Sequence, residues 1–119
     1  MKIGYEKQLK RGVLELVILS IICREASYGY KILKILNSTN QGFFDIKEGT
    51  LYPILYRLED EGLIRSRWGE NINFDVDIIN SRSEKPKKMY SATAKGHIAL
   101  IERQNIWQEF QKTTNDLLG

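Results

Sequence analysis

The stretch Gly49 to Ile64, GTLYPILYRLEDEGLI, leaves this chain little freedom in how it folds. At about 3.6 residues per turn, Leu51, Ile54, Leu55 and Leu58 share one side of a helix, and Tyr52, Pro53, Tyr56 and Asp60 share the other. A proline in a helix interior removes a hydrogen bond and crowds the preceding turn, so Pro53 is expected in the first turn, with the tyrosines at the helix's N-terminal end. Glu61-Gly62 ahead of the apolar pair Leu63-Ile64 reads as a helix stop, with Gly62 supplying positive φ, followed directly by a strand. A short helix that projects aromatic rings and hydroxyls and then turns into a strand is shaped to be presented to a partner.

Composition narrows the classes of partner. At 119 residues the chain fits one folding unit with a modest core. Its longest apolar run, Val13 to Cys23, is interrupted by Glu15 and Ser20 and falls short of the ~20 residues a membrane span needs, so a soluble, cytoplasmic protein without leader or anchor is expected. The lone Cys23 lies within an apolar helical pattern and reads as a small buried hydrophobe. The net charge of +3 is modest, but it is unevenly spread. Glu25 to Gly62 carries four basic against six acidic residues, whereas Leu63 to Gly96 carries seven basic against four acidic. The positive charge therefore follows directly after the constraining helix.

Leu9 to Arg24 has apolar residues nearly all the way round, which calls for cover on more than one side. A second subunit or a central position in a monomer would each provide it. Ser27 is a plausible N-cap for a second helix from Tyr28 to about Asn40, ended by Asn40-Gln41-Gly42. Phe43 to Ile46 forms an extended connector, and Gly49-Thr50 opens the third helix with Glu48 or Thr50 near its cap. Three helices, the second and third joined by a short Gly-containing connection, match a helix-turn-helix. Ile64 to Gly69 and Lys88 to Thr93 alternate as antiparallel strands, with Met89 or Tyr90 facing the core, and Glu70 to Lys87 spans a long hairpin between them. Thr93 to Leu118 forms the last helix, on which Ala99, Arg103, Ile106, Phe110, Thr113 and Leu117 make a seam with heptad-like spacing. Leu100, Trp107, Thr114 and Leu118 widen that seam, and a dimer contact shared with the first helix is expected.

Catalysis finds little support in these residues. His97 has no cysteine or second histidine at metal-ligand spacing, Glu59, Asp60 and Glu61 point in different directions on a helix, and no phosphate-cradling glycine motif is present. No metal and no cofactor is expected. Nucleic acid suits the residues better: Thr50, Tyr52 and Tyr56 offer hydroxyls near a helix N-terminus, and Arg82, Lys85, Lys87 and Lys88 form a basic cluster on the hairpin. The same tyrosine face would also suit a docking surface on a protein-interaction module without DNA binding.

The chain resembles the PadR-type winged-helix transcriptional regulators in RGVLELVILSII, YGYKILKIL, GTLYPILYRLEDEGLI and KKMYSATAKG, over roughly Leu9 to Leu100. The resemblance implies a mainly α fold with a small β-hairpin: a winged helix-turn-helix over residues 1–93, and a C-terminal dimerisation helix over residues 94–119. It further implies a homodimeric repressor whose third helix enters the major groove of a palindromic operator, with half-sites about 34 Å apart. Carried over to this sequence, the DNA-contacting residues are Tyr28, Lys31, Thr50, Tyr52, Pro53, Tyr56, Lys87 and Lys88. The dimer contacts are Leu14, Ile18, Ala99, Arg103, Ile106, Trp107, Phe110 and Leu117. A single final helix resembles the smaller branch of the family, some of whose members bind flat aromatic drugs between paired tryptophans, and Trp107 is the matching position for such an effector. The hairpin departs from the family pattern, because NINFDVDIIN adds acidic and apolar residues where a shorter Gly-rich or basic tip is usual.

Overall fold

The computed structural model describes residues 2–69 and 87–119. In chain order these form helix α1 (Lys2–Arg24), strand β1 (Ser27–Tyr28), helix α2 (Gly29–Asn37), a 3-10 turn (Asn40–Gly42), helix α3 (Glu48–Asp60), strands β2 (Ile64–Trp68) and β3 (Lys88–Ala92), and helix α4 (Ala94–Leu118). The sheet is antiparallel in the order β1-β3-β2. The fold is thus mainly helical with a small sheet, a winged helix with one strand more than the expected hairpin. The hairpin segment expected between the two wing strands, with Arg82 and Lys85, lies outside the described residues.

α3 packs as its pattern requires: Leu51, Ile54, Leu55 and Leu58 are buried, and Tyr56 is exposed. Its end is a complete C-cap. Gly62 adopts φ +79°, its N–H donates to Glu59 O at 2.9 Å, and Leu63 N–H donates to Leu58 O at 3.0 Å, with the Leu58 and Leu63 side chains both buried. The start of α3 differs from expectation. The helix begins at Glu48 after Lys47, so Pro53 lies in the second turn instead of the first. The lost N–H would have faced the carbonyl of Gly49, which sits at the exposed end of the helix, so the interruption costs little.

Ser27 does not cap α2. It is buried in β1 opposite Tyr90, its hydroxyl donates to Glu25 O at 2.8 Å, and Tyr28 takes the cap position without a side-chain bond. Pairing with a strand some sixty residues away outcompetes the local cap that serine would otherwise form. α2 also stops earlier than expected, at Asn37. The Asn37 amide clasps the connector, accepting from Ile46 N–H at 2.9 Å and donating to Ile46 O at 3.2 Å.

α1 runs seven residues further toward the N-terminus than its apolar pattern suggests, because Glu6, Lys7 and Gln8 are good helix formers without an apolar stripe. Its C-terminal half lies against α2, β3 and α4. Leu14 and Ile18 are therefore buried in the protomer's own core and not available to a second subunit, which corrects their expected place at a dimer contact. Cys23 is half-buried, and burial raises its thiol pKa. Of the two candidates on β3, Tyr90 faces the core, 1% exposed, while Met89 lies on the outer sheet face.

α4 is anchored at one end only. Thr93 caps it, accepting from Gly96 N–H at 3.0 Å and donating to Gly62 O at 2.7 Å, and Gly96 is pressed against the carbonyl of Leu63. Ala99 and Leu100 still touch the core, and Arg103 pairs with Glu61 at 3.6 Å. Beyond Arg103 every side chain to Leu118 is exposed except that of the half-buried Thr114. Among the described residues, no helix is long and apolar enough to cross a membrane.

Candidate nucleic-acid interface

The N-terminal part of α3 meets the start of α2, where Tyr52 lies against Gly29, and the root of the wing in turn meets α2 at Tyr30. α3 itself presents Thr50, Pro53 and Tyr56, all exposed, because the apolar period has committed the opposite side to the core. Beside it stands the start of α2, where Tyr28 and Tyr30 stack with centroids 6.2 Å apart and planes at 21°. The root of the wing completes the arrangement: the Lys87 ammonium lies 5.9 Å from the Tyr30 ring, and that of Lys88 lies 5.3 Å from the Trp68 ring. Lys87, the residue before β3, thus brings the wing root against α2.

The expected DNA residues do not behave alike. Tyr56 is 53% exposed and free to meet a ligand. Tyr52, expected on the same exposed side, is half-buried against α2: a methyl group at Gly29 would collide with its hydroxyl and lie 3.0 Å from its Cζ. Burial, then the fields of Glu48 and Tyr56, raises the Tyr52 phenol pKa. The two tyrosine rings remain neighbours, with centroids 6.3 Å apart. Below them Tyr90 is pushed up to about 12, by burial first and then by Tyr52, Tyr56 and Glu59. Tyr52 therefore forms part of a tyrosine layer that joins α2, α3 and β3. Lys31 sits on the surface but is paired with Glu25 at 3.1 Å, an exposed contact that a stronger anion can displace at little cost.

Tyr30, Trp68, Arg65 and Arg67 were not singled out from the sequence. The signal for Tyr30 was its place two residues after Tyr28 at a helix start. Trp68 is 61% exposed at the end of β2, an unusual place for so large a ring. Further back, α3 is braced by Arg57, whose guanidinium meets Glu15 of α1 at 2.8 Å, and by Glu59, which accepts from the Ser66 hydroxyl at 2.7 Å and from its N–H at 3.2 Å. These contacts hold the presented helix to the body and the sheet. Among the described residues, no group of histidine, cysteine or carboxylate side chains is placed to hold a metal ion.

Comparison with known proteins fits this geometry. Residues 18–102 match the model of the PadR-like family of transcriptional regulators. An uncharacterised protein of Lysinibacillus sphaericus is 32% identical over 102 residues, covering 86% of this chain and 84% of the relative. Among solved structures, a PadR family transcriptional regulator from Eggerthella lenta superposes with a TM-score of 0.78 at 31% identity, over 97% of this chain and 89% of that one. Bacillus subtilis PadR, solved in complex with operator DNA, superposes with a TM-score of 0.62 at 27% identity, over 77% of this chain and 47% of that one. With the family model spanning both the helix-turn-helix and the wing strands, the chain belongs to the PadR-like family of transcriptional regulators.

Proposed function

We propose that this regulator acts as a homodimeric repressor that binds a palindromic operator through two copies of the surface formed by α3, the start of α2 and the wing root. The observation that carries this reading is the exposure of Thr50, Pro53 and Tyr56 on α3, whose other side is committed to the core, on a helix tied through Tyr52 to Gly29 at the start of α2, where Tyr28, Tyr30 and Lys87 cluster. Hydroxyls and ammonium groups so grouped suit phosphate oxygens and base edges. The complex of Bacillus subtilis PadR with operator DNA supports the same assignment. In this reading Thr50, Pro53 and Tyr56 enter the major groove, and Tyr28, Lys31, Lys87 and Lys88 hold the backbone beside it. Tyr52 contributes from its half-buried place below.

Residues 1–93 then form the DNA-binding unit and residues 94–119 the dimerisation helix. Exposed apolar side chains support the dimer: Tyr5 and Leu9 on α1, and Ile106, Phe110 and Leu117 on α4, are between 58% and 83% exposed. Trp107 lies within that stripe at 37% exposure, and we place the site for a planar aromatic effector there.

Binding to the DNA upstream of the chain's own gene, followed across salt concentrations, tests the central claim. Affinity is expected to fall steeply with salt, and Tyr56→Ala to weaken binding by about 1–3 kcal/mol if the ring contacts a base edge, with unfolding stability within about 0.5 kcal/mol of the parent protein. A flat salt response with Tyr56→Ala indistinguishable from the parent would instead favour a protein-docking role for the same face.

A further inference from the structure

The outer face of the sheet carries a charge pattern that the surface around α3 does not use. Residues opposite one another in antiparallel strands share a face, so the register places Tyr28, Met89 and Arg67 in one row across β1, β3 and β2. Ser91 and Arg65 form the next row. The alternate residues of β2 serve the fold, since Ile64 is buried and Ser66 bonds Glu59, which leaves Arg65 and Arg67 together on the outside. With a rise of about 3.3 Å per residue, the two arginines leave the strand roughly 7 Å apart. They flank a groove of about 410 Å³ lined, among the described residues, by Ala26, Arg65, Ser66, Arg67, Met89 and Ser91, none of them a carboxylate. Among the described residues neither arginine forms an ion pair, whereas Arg57 and Arg103 both do. Two like charges held side by side on one strand repel each other, and an anion that meets both relieves that cost.

We propose that Arg65 and Arg67 form a phosphate track that carries the DNA backbone beyond the half-site and onto the outer face of the sheet. The proposal rests on the DNA-binding reading above and extends its footprint. Continuity favours a nucleic-acid backbone over a small organic anion. The row that holds Arg67 ends at Tyr28, two strand spacings or about 10 Å away, and Tyr28 stacks on Tyr30, over which Lys87 sits. The groove is lined by the Met89 side chain, the Arg65 and Arg67 guanidinium groups and the Ser91 hydroxyl, donors that suit the exposed oxygens of a passing phosphodiester chain.

The test compares two duplexes in a salt series, one limited to the operator and one extended by about ten base pairs on each side, roughly one helical turn. The full-length chain is expected to bind the longer duplex more tightly and with a steeper salt dependence. Each arginine on a phosphate contributes about −0.9 to the slope of log affinity against log salt, so R65Q/R67Q reduces the slope by about 2 per subunit. At 0.15 M salt that corresponds to a loss of about 30-fold per subunit, confined to the longer duplex. R65K/R67K is expected to keep most of the slope. Both side chains are exposed, so thermal unfolding of each variant should match the parent and separate binding from folding. Equal binding of both duplexes by the parent chain, or an unchanged slope in R65Q/R67Q, overturns the track while leaving the operator reading intact. Inorganic phosphate binding that R65Q/R67Q abolishes, without any duplex-length effect, overturns it in favour of a free-anion site. No binding to either duplex overturns both readings together.

Discussion

A methyl group at Gly29 would run into the Tyr52 hydroxyl, so the bare glycine lets the start of α2 approach Tyr52 of α3. Gly29 is buried and lacks a positive φ, so an alanine there is acceptable to the backbone and objectionable only to the tyrosine. Gly29→Ala is therefore expected to cost about 1–3 kcal/mol in denaturant unfolding, and to weaken operator binding as the phenol is forced out of its slot. Tyr52→Phe removes the atom that would be struck first. The double variant should fall short of the sum of the single effects by about 1 kcal/mol, the mark of residues in direct contact. Strict additivity would show that the two do not constrain each other. Local spacing correctly grouped Tyr52 with Tyr56 and away from the leucines of α3. It had no means of showing that α2 would arrive over Tyr52 and leave Tyr56 open, because that depends on contacts between residues more than twenty positions apart.

The helices and wing strands whose residues carry their own punctuation were legible in the chain. α3 has its leucine side and Gly62, α4 has Thr93 at its cap, and β2 and β3 alternate, so each matched its expected place to within a residue or two. β1 was not legible, since two residues have no period and Ser27 looks locally like a cap. α1 misled in a different way. Its all-round apolar pattern shows that it needs cover but not whose, and the cover of Leu14 and Ile18 comes from their own chain. The junction of α3, β2 and α4 gives the sharpest test at this level. Gly96 fits only because it has no side chain: a Cβ there would overlap the Leu63 carbonyl, a backbone atom that cannot swing aside. Alanine raises helix propensity by about 1 kcal/mol, yet Gly96→Ala is expected to destabilise by about 1–3 kcal/mol, because α4 must shift off the strand. Equilibrium unfolding measures the sign. A more stable Gly96→Ala protein would mean that α4 docks less tightly than its cap and the Gly96 contact imply.

At 25 residues α4 is about 37 Å long, and only the part from Ala94 to Arg103 is held by the protomer. The molecule is correspondingly drawn out, with extents of 53 × 35 × 20 Å. α4 leaves Ile106, Phe110 and Leu117 in water, a stripe that the proposed dimer would cover with a second subunit. In the proposed dimer, two recognition surfaces held at a fixed separation would make binding of the second half-site effectively intramolecular, a gain over one surface alone of about a hundredfold or more. Ile106→Glu/Phe110→Glu places charge in the middle of that stripe without touching the protomer's core. We expect the variant to sediment as a monomer with unchanged helix content, and to lose about a hundredfold in operator affinity while keeping the salt response of each half-site. In a Trp68→Phe background, Trp107 emission reports the same event, shifting to the red as the stripe becomes wet. If the proposed effector site is built from both α4 helices, planar aromatic compounds should quench Trp107 in the parent protein and not in the monomeric variant. Quenching that is equal in the two would place any such compound on a single α4, where it has no lever on the spacing of the recognition helices.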